Sequence, residues 1–196
     1  MFEEEIAHYT GAPYAVSVNS CTNALFLSCK YLNIESRDII IPKRTYLSVP
    51  QSIQQAGGNV VFEEQGWEGI YQLKPFPIYD AAKRFTSNMY IAGSLMCLSF
   101  HIKKHLKIGK GGMILTDSQD AVKWLKASRY EGRTDGIKYH EDQIGEEGWN
   151  MYMSPEQATR GLMLMQNYPQ QMPDLPEDPP YRDLTGFKLF KKNKRR

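Results

Sequence analysis

Apolar residues recur at helical spacing over residues 2–9, and the run stops at Gly11, a residue free to take the left-handed backbone that ends helices. Residues 14–18, Tyr-Ala-Val-Ser-Val, read as a short buried strand. They lead into Asn19, Ser20, Cys21 and Thr22, four residues rich in capping groups, before helical spacing resumes at residues 23–31. A strand over 38–41, a turn over 42–46, a helix over 47–56 and a strand over 59–62 continue a βαβαβ rhythm. Residues 63–77 show no period and hold Gly, Pro and aromatic residues, which predicts a loop with room for one short irregular strand. Strand patterns return at 78–80, ending in Asp80, and at 94–100. Residues 111–117 read as the antiparallel or hairpin partner of the latter across a Gly/Lys-rich turn. Helices are predicted over 119–130 and over 154–165, where Ser-Pro-Glu supplies an N-cap, a first-turn proline and an acidic first turn. Between them, residues 134–147 are polar and expected to be mobile.

Alternating strands and helices imply an α/β layer with a mostly parallel sheet, whose ligands bind at the carboxyl ends of the strands. The 196 residues suffice for one sizeable core, which places a single domain at 1–168. Residues 169–196 begin Pro-rich and acidic and end in the basic run KKNKRR. They read as an extended or disordered tail. No internal repeat is visible.

Charge narrows the class of partner. Basic and acidic side chains number 24 and 22, a net charge of +2, so no global field points to nucleic acid or to a membrane surface. The terminal basic run could contact phosphates without sequence preference, but no interleaved aromatics suggest base stacking. Cys21, Cys29 and Cys97 form no CxxC pair and no zinc-ligand spacing, and an odd count argues against a disulfide framework. The first residues are acidic and helical rather than signal-like, and no apolar run approaches about 20 residues. A soluble, cytoplasmic protein is expected.

Five separated segments then agree on one chemistry: the turn Ser20-Cys21-Thr22, the aromatic Tyr46, the strand-terminal Asp80, the run Ser99-Phe100-His101-Ile102-Lys103-Lys104, and Asn150. In this order they resemble the DegT/DnrJ/StrS sugar aminotransferases, enzymes of pyridoxal 5'-phosphate (PLP) fold type I. The family's SGT turn is matched by residues 20–22, its DAAQ by Asp80-Ala81-Ala82-Lys83, its SFHxxK by residues 99–104, and its GxNxRMSxxQA by residues 148–158. SFHxxK followed by the strand entry Gly111-Gly112 is the most specific part. The resemblance implies a three-layer large domain with a mostly parallel sheet, here shortened and without the small C-terminal domain.

It also implies roles. Lys104 would carry PLP as a Schiff base, with Lys103 as the rival one residue short of the spacing. Lowering the pKa of such an amine takes desolvation or neighbouring cations, and Lys103, Lys107 and Lys110 supply charge. Asp80 would keep the pyridine nitrogen protonated, Tyr46 would stack on the ring, and Ser20, Cys21, Thr22 and Ser99 would hold the phosphate at a helix N-terminus. Lys83 would lie beside the cofactor, and Asn150 would reach the phosphate of the neighbouring subunit, which implies a homodimer with shared sites. The expected reaction is amino transfer from an amino acid such as glutamate to a nucleotide-linked keto-sugar. A non-catalytic or regulatory PLP-fold dimer is the alternative. A family branch of sugar dehydratases uses histidine in place of the lysine; Lys104 speaks against it, although His105 is adjacent.

Four positions depart from the pattern: Gly becomes Cys21, Gln becomes Lys83, Asn becomes His105 and Arg becomes Tyr152. Cys21 puts a side chain where backbone is expected to approach phosphate. A βαβ stretch expected before Asp80 is also missing, and closure over the substrate is expected from the partner subunit or from residues 134–147.

Overall fold

The computed structural model describes residues 1–176 and 180–190. Helix α1 (Phe2–Thr10) turns its Phe2, Ile6, Ala7 and Tyr9 side inward and ends at Gly11, which takes φ 74° and returns its N–H to the helix carbonyls. Strand β1 (Tyr14–Val18) feeds α2 (Cys21–Tyr31), capped by Ser20, whose hydroxyl accepts from the Asn23 N–H at 3.2 Å. Then come β2 (Asp38–Pro42), α3 (Ser48–Gln55), β3 (Asn59–Glu63) and β4 (Tyr71–Gln72), the last being the one short strand in the aperiodic stretch. Strands β5 (Ile78–Asp80), β6 (Leu95–Ser99) and β7 (Gly112–Thr116) precede α4 (Gln119–Ser128) and α5 (Pro155–Met165). Ser154 and Gln157 close a reciprocal capping box at the start of α5.

The sheet direction differs from the expectation. The main sheet runs β1-β7-β6-β5-β4, and only β5 and β6 are parallel; the other three pairings are antiparallel. Strand β7 returns from β6 through residues 100–111, which form turns and no helix, and β4 turns straight back into β5, so neither connection supplies the crossover helix that usually joins parallel strands. The βαβ unit β2-α3-β3 is parallel, but it forms its own two-stranded sheet. It joins the main sheet where Ile40 and Lys74 exchange backbone hydrogen bonds at 2.8 and 3.1 Å.

Two cores sandwich the main sheet. Leu95, Cys97 and Ile114 point to one side, where α2, α3 and α4 contribute Leu25, Ile53 and Leu125. Met96, Leu98, Met113 and Leu115 point to the other, where Phe2, Ile6 and Met165 of α1 and α5 cover them. Strands β6 and β7 thus have both faces buried, which is why they read as continuous apolar runs.

Residues 169–176 form no helix or strand. The next described stretch, 180–190, differs: it folds into two short 3-10 turns, Leu184–Gly186 and Lys188–Phe190, and buries Leu184 to 3% exposure. The run KKNKRR at 191–196 lies outside the described residues. No helix among the described residues is long and apolar enough to cross a membrane.

Candidate active site

Asp80 ends β5, where its carboxylate is 5% exposed. One oxygen accepts the Ala82 N–H at 2.9 Å and the other accepts the Tyr71 hydroxyl at 3.0 Å. Burial pushes this carboxyl above the usual range, although the Ala82 N–H, the Tyr71 hydroxyl and the Lys104 ammonium all pull it back. The Lys104 charge therefore reaches Asp80. Lys104 is half-buried in the turn after β6, its N–H bonded to the His101 carbonyl at 2.8 Å, whereas Lys103 points to solvent. The structure thus separates the two candidate lysines by exposure.

The turn 20–22 lies beside this pair. Cys21 sends its thiol inward to the Cys97 carbonyl at 3.6 Å, away from the first-turn N–H groups of α2. Burial holds that thiol well above its usual range and Asp80 pushes it further, with Lys104 acting in the opposite sense. The cysteine that replaces glycine is thus a packed, protonated side chain. A glycine is required at Gly112, where a Cβ would stand 2.5 Å from the Ser20 carbonyl carbon and 2.6 Å from the Cys21 nitrogen. Strand β7 can approach the α2 N-terminus this closely only without a side chain. The Thr22 hydroxyl donates to Ser48 Oγ at 2.9 Å, which sets the starts of α2 and α3 side by side. Ser99, at the end of β6, accepts a long bond of 3.5 Å from the His101 N–H. No group of three or more His, Cys, Asp or Glu side chains among the described residues is placed to hold a metal ion.

A strap crosses this arrangement. The His105 ring bonds the Pro173 carbonyl at 2.8 Å, Arg84 pairs with both oxygens of Asp174 at 2.8 and 2.5 Å, and the Leu175 N–H donates to the Lys83 carbonyl at 2.9 Å. Beyond the undescribed residues, Tyr181 stacks on Trp67 at 5.9 Å and 17°. The Asp183 carboxylate lies 2.9 Å from Lys43 Nζ. Closure from the partner subunit or from residues 134–147 was the expectation; within the chain, residues 173–175 contact His105, next to Lys104, and Lys83 and Arg84, just after Asp80.

The model of the DegT/DnrJ/EryC1/StrS aminotransferase family matches residues 1–89 and 78–174. The chain belongs to that family. It is 27% identical over 214 residues to the spore coat polysaccharide biosynthesis protein SpsC of Bacillus subtilis, covering 82% of this chain and 54% of that protein. It is 21% identical over 205 residues to UDP-4-amino-4,6-dideoxy-N-acetyl-beta-L-altrosamine transaminase of Campylobacter jejuni, with 82% and 54% covered. Among solved structures, PseC of Helicobacter pylori, an aminotransferase involved in the biosynthesis of pseudoaminic acid, superposes with a TM-score of 0.71 at 16% identity, over 85% of this chain and 57% of that one. The chain therefore shares the aminotransferase fold and spans about half the length of the curated relatives it matches.

Three family positions stand apart from the Asp80–Lys104 cluster. Tyr46 is 60% exposed and meets only the edge of Tyr181, at 6.4 Å. Lys83, buried, has its ammonium 5.4 Å from the Trp67 ring and 5.3 Å from the Tyr181 ring. Asn150 is exposed and donates to Glu131 Oε1 at 3.2 Å, while its segment is anchored to the turn by the Asn19 N–H bonding the Met151 carbonyl at 2.8 Å. Tyr71, Thr45, Trp67 and Asp174 were not singled out by sequence reasoning. The signal for Tyr71 and Trp67 was the aromatic content of the aperiodic stretch, but nothing local says which aromatic meets Asp80.

Proposed function

We propose that this chain binds PLP through Lys104 and transfers an amino group from an amino acid such as glutamate to a nucleotide-linked keto-sugar. The observation that carries the reading is the buried Asp80 carboxylate at a strand end, with the half-buried Lys104 on the turn after the neighbouring parallel strand. The residues present fit the cofactor. Asp80 offers a carboxylate to a pyridine nitrogen; the α2 N-terminus, with the hydroxyls of Ser20, Thr22 and Ser99, suits a phosphate; Cys21 leaves that end clear. When bound, PLP supplies an electron sink for the carbanion at the donor's α carbon.

The chain's own groups would do the rest. Asp80 would hold a proton on the ring nitrogen, Tyr46 would cover one ring face, and Lys83 would lie at the edge of the site. Lys104 Nζ, once the donor's amine has displaced it, would be free to take the proton from the donor's α carbon and to give it up again as an acid. In a homodimer, the exposed Asn150 would reach the phosphate held by the other subunit.

A second reading, a PLP-binding dimer without transaminase activity, is favoured by one observation: residues 173–175 contact His105, Arg84 and Lys83 around the place a substrate would enter. One experiment separates the readings. Added PLP should give a visible absorption band that borohydride removes, with the reduced adduct mapping to Lys104 and absent from Lys104→Ala. Glutamate should then bleach the unreduced band. A band indifferent to a panel of amino acids would establish the second reading, and an unmodified Lys104 would sink both.

A further inference from the structure

We infer that Tyr71, braced by Thr45, is a positioning residue that fixes the Asp80 carboxylate against the cofactor's pyridine nitrogen. The inference rests on the PLP reading above. Tyr71 lies directly opposite Asp80 in the antiparallel pairing of β4 with β5, so the two side chains share one face of the sheet. Its hydroxyl is 3.0 Å from Asp80 Oδ2 and 2.5 Å from Thr45 Oγ1.

Chemistry sets the direction of this chain. An ionised carboxylate only accepts, so the Tyr71 hydroxyl must donate to Asp80; its own lone pair then accepts, and Thr45 is the donor. Thr45 thus orients Tyr71, and Tyr71 orients Asp80. With Oδ1 held by the Ala82 N–H at 2.9 Å, both carboxylate oxygens are fixed, and a rotation of the carboxylate would break two bonds at once. Water has little access to replace them, since Thr45 is 2% and Tyr71 3% exposed.

Electrostatics agree with the geometry. Burial and the Asp80 charge hold the Tyr71 phenol well above its usual range, which keeps it a donor, and its hydroxyl in turn opposes the rise that burial imposes on Asp80. The charged and titratable neighbours of this pair among the described residues include Cys21, Cys97 and Lys104. Thr45 also directly precedes Tyr46, so the same chain of bonds links the acid to the residue proposed to stack on the ring. Two further contacts hold Tyr71 in place. Trp67 packs on its ring at 4.7 Å, and the Trp67 indole N–H donates to the Arg44 carbonyl at 2.9 Å.

The test uses the full chain loaded with PLP labelled with nitrogen-15 in the ring, whose chemical shift reports protonation of that nitrogen. Tyr71→Phe keeps the ring and removes only the hydroxyl, and Thr45→Val removes only the brace. The wild type should show a protonated ring nitrogen. Tyr71→Phe should move the shift toward the unprotonated value and weaken PLP binding about tenfold, as the loss of one charge-assisted hydrogen bond predicts. Thr45→Val should move both in the same direction by less, and Asp80→Asn by more. A Tyr71 role in packing alone leaves the ring-nitrogen shift where it was. An unmoved shift in both Tyr71→Phe and Thr45→Val, with Asp80→Asn displaced, overturns this inference and leaves the cofactor reading standing. Failure of the wild type to bind PLP overturns both.

Discussion

The floor of the site and the strap across it are built by different physics. The floor, formed by Asp80, Tyr71, Thr45 and Cys21, rests on strand ends and a helix start, is buried, and is held by directional hydrogen bonds. The strap, in its described stretches 169–176 and 180–190, has little regular structure and is held by ion pairs, ring contacts and a few backbone bonds. Buried hydrogen bonds fix a geometry because breaking them strands a polar group, whereas exposed ion pairs contribute little and yield to salt. The contrast predicts a rigid floor beneath a strap that opens more readily than the domain unfolds.

The largest effect should come from Leu184, the buried apolar anchor among the described residues of the strap. Leu184→Ala should cost about 2 kcal/mol in the opening of residues 180–190, at the low end for a buried leucine. Hydrogen exchange at the Leu184 N–H, bonded to the Lys43 carbonyl at 2.9 Å, should read that loss while amides of β5 and β6 stay protected. Equal loss at both places would mean that strap and floor are one cooperative unit.

Arg84→Ala comes next. It removes the two-pronged contact to Asp174, which is 13% exposed, and should loosen residues 173–175 by about 1 kcal/mol at low salt and by less at high salt. Faster protease cleavage within the strap, its rate converging with wild type as salt rises, is the expected result. A salt-independent difference would show that the pair acts through packing instead.

The smallest effect is a divergence with pH. Bonds from Thr185 and Lys43 hold the Asp183 carboxyl well below the usual carboxylate range, so its contribution is present above the unfolded value of about 3.9 and fades as pH falls through the folded one. Asp80 in the unliganded protein has the opposite sign. Burial raises its folded pKa, so on acidification the folded state takes up its proton before the unfolded state does, and this group's contribution to stability rises. Acid should therefore release the strap before it disturbs the floor. Exchange protection measured at neutral pH and well below about pH 3.9 checks the order, and simultaneous loss would contradict it.

The legible parts of the site were those whose meaning is local. Asp80 at a strand end, Ser20 as a helix cap and Lys104 at a fixed spacing from Ser99 could be picked out because short-range geometry decides where such residues sit. The antiparallel sheet was not legible, since strand patterns carry burial but not the direction of the neighbour. The return of β7 along β6 was expected from the Gly/Lys-rich turn, whereas the antiparallel pairings of β7 with β1 and of β4 with β5 were not. Nor was Cys21, whose type suggested a clash at the phosphate turn until its thiol was found pointing to Cys97.

By itself the sequence determined the order of the elements, most of their limits and the family, and it named the candidate residues for its chemistry, because periodicity, caps and motif spacing act over a few residues. Only the tertiary structure decided which aromatic meets Asp80, which of two adjacent lysines is half-buried beside it, and what lies across the site. Tyr71 and Asp80, Thr45 and Tyr71, Arg84 and Asp174 become neighbours only when strands pair and the C-terminal segment packs back. The free energy of those contacts belongs to the pairs, and neither member of a pair carries it along the chain.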